Sequence, residues 1–271
     1  MTPEPTIRRI CLAIERPELE AHARQYCAEL LPGAEINLCD PEEFERALDQ
    51  AYDPEELRVL MLHADEHGHL DSGMPILQGL MSSELPVLVI RQLPGVTLPD
   101  TTIRRVVVPL DGSPSAGQAI SVASLVARML NVPVRFLMVI DPARVIPPAY
   151  AYDPDAWGMI EEVRQTSHWA LSQAESTMKR DGVSAGSDLM FGPINASLSA
   201  SIVDGDLVVM TTHGSERHRL RNRDSVALRT LVSVPQPMLI MRAQTEPSVV
   251  VDGYQACSWV EPLQRDSART V

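Results

Sequence analysis

Short apolar runs alternate along this chain with longer stretches in which apolar residues recur every three or four positions. Runs such as those at residues 57–62, 87–90 and 238–241 are nearly continuous, which is typical of strands buried on both faces of a parallel sheet. The stretches between them have the spacing of helices with one buried face. The pattern therefore predicts an α/β fold with open, mostly parallel sheets flanked by helices.

The individual elements can be placed from the same pattern. In the first 92 residues it predicts strands at 7–15, 34–39, 57–62 and 87–90, with helices at 17–31, 41–51 and 74–81. Farther along it predicts strands at 106–111, 134–141, 188–191, 207–210 and 238–241, with helices at 116–130, 155–180, 194–203 and 226–232. The segment 142–157 is rich in proline and aromatic residues and is interpreted as a surface loop.

An internal repeat divides the chain. Residues 8–15 line up with residues 104–111, and residues 86–91 line up with residues 237–242. We interpret the chain as two tandem related domains, at 1–98 and 99–242, with a polar tail at 243–271. The first domain is shortened, because the strand and helix expected before residues 57–62 are missing or much reduced.

Composition and charge narrow the function classes. The chain has 271 residues and a formal net charge of −13, which argues against nucleic acid or an anionic membrane as a partner. No apolar run is long enough to span a membrane and the first residues lack the apolar core of a signal peptide, so we expect a cytoplasmic protein. The four cysteines form no C-x-x-C pair, which favours reduced thiols over a zinc site.

Two stretches together resemble the universal stress protein domain. The first is a strand that ends at Asp111, followed by Gly112 and Ser113, a small-residue helix and a second strand. The other is the stretch 206–242, which runs strand, glycine-bearing loop, helix and strand. The resemblance covers residues 103–242 and implies a nucleotide-binding fold of the adenine nucleotide alpha-hydrolase-like class.

The ATP-binding branch of that family has a loop motif of glycine, two residues, glycine, nine residues, glycine, and then serine or threonine. Here Gly214 fits the second glycine, nine residues follow it, and Ser225 fits the final hydroxyl. Thr211 and Asp224 replace the other two glycines. We expect both replacements to oppose phosphate binding, because one adds a β-branched side chain and the other adds a negative charge.

The residues between Gly214 and Asp224 carry the opposite charge. Four arginines and a histidine crowd this loop, which could meet phosphates directly or neutralise Asp224. They are Arg217, His218, Arg219, Arg221 and Arg223. The alternative interpretation is a solvated basic loop.

The resemblance also implies a wall for the base. Asp111 takes the family position that faces the base or ribose, and four apolar residues take positions that line the adenine pocket, namely Pro109, Val139, Met210 and Val226. Core packing is the alternative for Val139, Met210 and Val226, because central strands are apolar in any case.

The first half lacks the corresponding site residues. Glu15 stands in place of Asp111, Ala13 in place of Pro109, and Ala64 in place of Gly214. We therefore expect that half to be a structural or dimer-mimicking partner without a site.

The resulting hypothesis is a regulatory protein of the stress response that binds ATP or AMP weakly through its second half. The alternative is a scaffold or adaptor that acts through protein partners.

No catalytic residues and no metal are predicted, because neither a G-x-S-x-G nor a phosphate-binding G-x-x-x-x-G-K-[ST] motif occurs. A triad of Ser113, His213 and Asp111 is rejected, since nothing orients a nucleophile towards a base. A metal site is rejected as well, since a solvated acidic loop explains its residues better; they are His63, Asp65, Glu66, His67, His69 and Asp71.

The two halves are expected to pack face to face through their final strands, at residues 87–90 and 238–241, as an intramolecular pseudo-dimer. This expectation follows from the repeat and from family dimers that join through that edge, since exposed apolar edge strands need covering. Further dimerisation between chains is left open.

Overall fold

The structure is a computed structural model that describes residues 7–48, 53, 55–63, 80, 83, 85–92, 101–146, 148–150, 153, 156–212 and 226–244. These residues form one sheet of nine strands in the order β2-β1-β3-β4-β9-β8-β5-β6-β7. The strands are β1 (Arg9–Ile14), β2 (Glu35–Cys39), β3 (Glu56–His63), β4 (Val87–Gln92), β5 (Arg105–Leu110), β6 (Val134–Ile140), β7 (Ala185–Phe191), β8 (Asp206–Thr212) and β9 (Met238–Arg242).

Helices cover both faces of this sheet. They are α1 (Glu20–Leu30), α2 (Pro41–Leu48), α3 (Pro114–Gly117), α4 (Ala119–Leu130), α5 (Pro142–Val145), α6 (Ala156–Arg180), α7 (Ile194–Ser201) and α8 (Val226–Ser233), with 3-10 turns at Pro17–Leu19 and Pro148–Tyr150. One core cluster packs α1, α4 and α6 against the first face, and a second packs α2, α7 and α8 against the other. The fold is thus a three-layer α/β sandwich, as the apolar pattern predicts. None of the helices in the described ranges has the length and apolar character of a membrane span.

The last five strands follow the order β7-β6-β5-β8-β9 and are all parallel. The first four repeat that order without its outermost strand, as β2-β1-β3-β4. A tandem pair of related domains with a shortened first half predicts such a difference among the described strands, and that division of the chain stays a prediction.

The two sets of strands join where β4 meets β9. These strands are antiparallel, with Val87 opposite Ile240, Leu88 opposite Leu239 and Val89 opposite Met238. The predicted contact between final strands is therefore present, but its geometry was predicted wrongly: the strands meet edge to edge within one sheet rather than face to face. Hydrogen bonding between them covers two apolar edges that would otherwise be exposed.

A buried arginine crosses this seam. Arg91, at the end of β4, is 3% exposed and its guanidinium donates a hydrogen bond to the carbonyl of Val232 in the last turn of α8. Burial lowers the pKa of Arg91 to about 10. A cation is favourable at this end of a helix, where the carbonyls lack intrahelical partners.

An ion pair ties the starts of β5 and β8 together. Arg105 donates to both carboxylate oxygens of Asp206, over 2.8 and 2.7 Å, and the Asp206 side chain is 3% exposed. Asp206 also accepts a hydrogen bond from the backbone N–H of Val203. This bidentate geometry offsets the desolvation of the carboxylate.

Three details differ from the sequence-based expectations. The segment 142–157 is not only loop, because Asp141 caps α5 by accepting a hydrogen bond from Ala143 N–H and a 3-10 turn follows. The helix predicted at 116–130 is two helices, α3 and α4. The strand predicted at 188–191 starts earlier, at Ala185. The helix predicted at 74–81 lies outside the described residues except for Leu80.

The segment after β9 is anchored rather than loose at its start. Ala243 N–H donates to the Thr212 carbonyl, and the side-chain amide of Gln118 exchanges two hydrogen bonds of 2.8 Å with the backbone of Gln244. The chain is therefore attached to the fold as far as Gln244, and the predicted boundary of the tail at residue 243 stays a prediction. The rest of the tail lies outside the described residues.

Substitution of Asp206 by asparagine should lower the free energy of unfolding by about 3 kcal/mol, because it leaves the partly buried Arg105 without its charge partner. The midpoint of urea denaturation measures this loss. Glu161→Gln breaks an exposed arginine–glutamate pair on α6 and is the matched control, for which we expect no measurable change. Equal effects of the two substitutions would show that burial of the Asp206 pair does not matter.

Two truncations test the boundary of the tail. A chain that ends at Gln244 keeps the exchange with Gln118, whereas a chain that ends at Arg242 loses these hydrogen bonds. We expect the shorter chain to be less stable than the longer one by about 2 kcal/mol, as measured by thermal unfolding. Identical stability of the two chains would contradict this anchoring.

Candidate functional site

The carboxyl ends of β5, β6 and β8 meet at one edge of the sheet, the position at which open α/β sheets bind ligands. The turn after β5 contributes an exposed carboxylate, Asp111. Its Oδ1 accepts a hydrogen bond of 2.9 Å from Ser113 N–H, and the Ser113 hydroxyl in turn accepts from Ala116 N–H. Gly112 has φ +80°, a conformation that few other residues adopt readily. These local contacts hold the Asp111 carboxylate at the open edge.

Four of the predicted pocket residues share one face of the sheet. Met210 is buried in the core cluster beneath α7 and α8, and Val139 and Val226 pack against that cluster. Pro109 lies beside Leu137 of the same cluster, in the register of β5 with β6. These residues form a continuous apolar wall that leads towards the strand ends. Their packing also fits the alternative of ordinary core residues.

Thr211 lies on the opposite face from this wall. Its side chain alternates with that of Met210, and its hydroxyl donates a hydrogen bond of 2.9 Å to the carbonyl of Ser115 in α3. The Thr211 side chain is thus directed towards α3 and ties the start of α3 to the end of β8. The expectation that it obstructs the ribose and phosphates stays a prediction.

The remaining motif residues, Gly214 and Ser225, lie outside the described residues, as do Asp224 and the arginines between them. The structure thus groups Pro109, Asp111, Val139, Met210 and Val226 at one edge and does not describe the phosphate-binding part of the motif.

Sequence reasoning did not single out Asp141, a second carboxylate at the same edge. It follows β6 as Asp111 follows β5, and a strand that ends in aspartate is a signal that could have identified it. Asp141 caps α5 through Ala143 N–H, and its Oδ2 lies 3.8 Å from the Arg144 guanidinium. Each carboxylate accepts one backbone N–H, but the Asp141 side chain also lies beside Arg144 and is only 18% exposed, so the exposed Asp111 is the better ligand-binding candidate.

A small depression opens beside Asp111 on the face away from the wall. It lies between α3, α4 and α6. Its lining consists of Leu110, Gly112, Ser113, Gly117, Ile120, Met138 and Ala170. This lining carries no charge, so the depression favours apolar groups.

The corresponding edge of the first four strands is organised differently. Glu15, which replaces Asp111 there, accepts a hydrogen bond of 2.7 Å from His63 N–H and so ties the end of β1 to the end of β3. Within the described ranges, no cluster of three or more histidine, cysteine, aspartate or glutamate side chains could hold a metal ion. Of the histidines in the rejected metal site, only His63 is described.

Comparison with known proteins identifies the family. The sequence model of the Universal stress protein family matches residues 102–242, just over half of the chain. The chain belongs to the universal stress protein family. No curated protein matches it.

Solved structures agree on the fold. A protein of unknown function from Pseudomonas aeruginosa PAO1 is 13% identical with a TM-score of 0.56, and the match covers 89% of this chain and 94% of that one. A universal stress protein from Archaeoglobus fulgidus DSM 4304 is 14% identical with a TM-score of 0.52, over 86% of this chain and 81% of that one. A universal stress protein in complex with cAMP is 20% identical with a TM-score of 0.39, over 53% and 99%. The likeness to the first two structures concerns the fold alone.

The position of the Thr211 hydroxyl leads to a test of this edge. Thr211→Val keeps the shape of the side chain but removes the hydrogen bond to Ser115, so we expect a loss of about 1 kcal/mol in the free energy of unfolding. Thr211→Ser keeps the hydroxyl and should retain most of that stability. If the valine variant proves as stable as the parent in urea denaturation, the hydrogen bond does not hold α3 in place.

Proposed function

We propose that this universal stress protein is a regulatory protein of the stress response that binds an adenine nucleotide, ATP or AMP, weakly at the carboxyl edge of β5, β6 and β8. The observation that carries the proposal is the position of Asp111. Its carboxylate is exposed at the end of β5, beside an apolar wall of Pro109, Val139 and Met210 on one face of the sheet.

The chemistry of these groups suits a nucleoside. A carboxylate accepts hydrogen bonds from ribose hydroxyls or from the amino group of a base, and an apolar wall favours the flat face of the purine. Asp111 is preorganised for this role because Ser113 N–H fixes one of its oxygens. The proposal assigns Val226 to the far side of the same pocket, where α8 begins.

Phosphate binding is assigned to the segment between β8 and α8. Gly214 comes two residues after β8 ends, and Ser225 directly precedes α8, which supports a role for both at this edge. The start of a helix provides backbone N–H groups for a phosphate. The arginines of this segment add positive charge and Asp224 opposes it, so we propose that binding is weak.

We propose a structural role for the first half of the chain. Glu15 is engaged with His63 N–H, and β4 supplies the partner for the edge of β9. One nucleotide site per chain follows from this assignment.

Calorimetric titration of the purified chain with ATP and with AMP tests the proposal. Asp111→Ala should weaken binding at least tenfold, because it removes the group assigned to the ribose or base. Asp141→Ala removes the neighbouring carboxylate, which is engaged with α5, and should leave the affinity unchanged.

Removal of the opposing charge should act in the other direction. Asp224→Asn should strengthen ATP binding about tenfold, since one relieved charge contact near the surface supplies roughly 1.4 kcal/mol. Thr211→Gly should give a smaller gain, because the Thr211 side chain already points towards α3. Absence of binding in the parent and in the Asp224→Gly, Thr211→Gly double variant would sink the nucleotide proposal in favour of an adaptor acting through protein contacts. Tight binding by the parent would show instead that the arginines outweigh Asp224.

A further inference from the structure

Two cysteines of the first half lie on neighbouring strands. Cys11 is on β1, and Cys39 is on β2, which lies at one end of the sheet. In the parallel register Cys11 is beside Asn37, and Ala13 is beside Cys39. The two cysteines are therefore diagonal neighbours, two positions apart, and their side chains point to the same face of the sheet.

The Cys39 thiol donates a hydrogen bond of 3.8 Å to the Asn37 carbonyl, and Cys11 lies on the neighbouring strand. Burial raises the pKa of the Cys11 thiol well above its usual range, and hydrogen bonding to the Cys39 side chain raises it further. Cys11 is 7% exposed, whereas Cys39 is half-buried on the edge strand. An oxidant in solution therefore reaches Cys39 first, and the buried Cys11 lies behind it on the neighbouring strand.

Strand geometry brings this pair close to the requirements of a disulfide. Diagonal neighbours two positions apart on adjacent parallel strands have Cα atoms roughly 8 Å apart, whereas disulfides need less than about 7 Å. In the described part of the chain, β2 is bonded only to β1, so a small shift of this edge strand can close the difference. Cys27 is not a competitor, because it is buried beneath the other face of the sheet.

We propose that Cys11 and Cys39 form a reversible intramolecular disulfide when the protein meets a hydroperoxide. The Cys39 sulfur attacks the peroxide oxygen, which gives a sulfenic acid at Cys39 and releases the alcohol, or water from hydrogen peroxide. The Cys11 sulfur then attacks the sulfenic sulfur, its proton leaves with the hydroxide, and water is released. The two thiols are oxidised by two electrons, the peroxide is reduced by two, and any excess dithiol reverses the reaction.

This disulfide would attach the edge strand covalently to its only bonded neighbour among the described strands. It would restrain β2 from separating from β1. The inference is independent of nucleotide binding, since both cysteines lie in the half of the chain that we assign a structural role.

The test uses the full chain treated with hydrogen peroxide, followed by blocking of free thiols and digestion without reduction. We expect a peptide pair that joins Cys11 to Cys39, with a mass two hydrogen atoms lower than the sum of its parts, and its loss on treatment with dithiothreitol. Cleavage after glutamate is needed, because Glu29 and Glu35 separate Cys27 from Cys39. Amide hydrogen exchange of β2 should slow in the oxidised protein.

A double variant, Cys27→Ser with Cys257→Ser, isolates the pair. Thiol titration of the double variant, oxidised while folded and then unfolded in denaturant, should fall from two groups per chain to none, without a covalent dimer on a non-reducing gel. The matched control adds Cys39→Ser and should retain its single thiol under the same brief treatment. If the double variant does not fold, the peptide mapping of the parent chain decides alone. A link from Cys39 to Cys257, a covalent dimer, or only sulfinic acid at Cys39 would overturn the proposal.

Discussion

The short antiparallel seam between β4 and β9 is the contact on which the rest of the architecture depends. Three residue pairs join two sets of parallel strands into a single sheet, and the side chains on both faces continue into two core layers across it. Without this pairing each set would end in an apolar strand with free N–H and carbonyl groups. Arg91 adds a link outside the sheet, because it reaches from β4 to the end of α8.

The edge that carries the candidate site is organised by short-range hydrogen bonds. Asp111 and Ser113 each bind a nearby backbone N–H and so shape the turn after β5, while the Thr211 hydroxyl and the Gln118 amide attach α3 and the start of α4 to β8 and to the chain after β9. The groups that form the edge are thus positioned by contacts that need no ligand. This preorganisation lowers the conformational cost of binding.

Much of this arrangement could be predicted from the sequence because of burial. Strands such as β3 and β8 are buried on both faces, and continuous apolar runs signal this. The turn at Asp111 was also recognisable, because aspartate, glycine and serine each suit such a turn. The side-chain direction of Thr211 was not, since it depends on a carbonyl nearly a hundred residues away in the chain. The same holds for Arg91 and Val232, which only the fold brings together.

The direction of the seam also decides where the two halves present their strand ends. Because β4 runs opposite to β9, the carboxyl ends of β1, β3 and β4 lie on one rim of the sheet and those of β5, β6 and β8 lie on the opposite rim. Asp111 and Glu15 therefore lie on opposite rims of the described strands and do not face a common ligand there. If ligand binding at one rim changes the structure at the other, the change has to pass along the central strands, through their pairing or their twist.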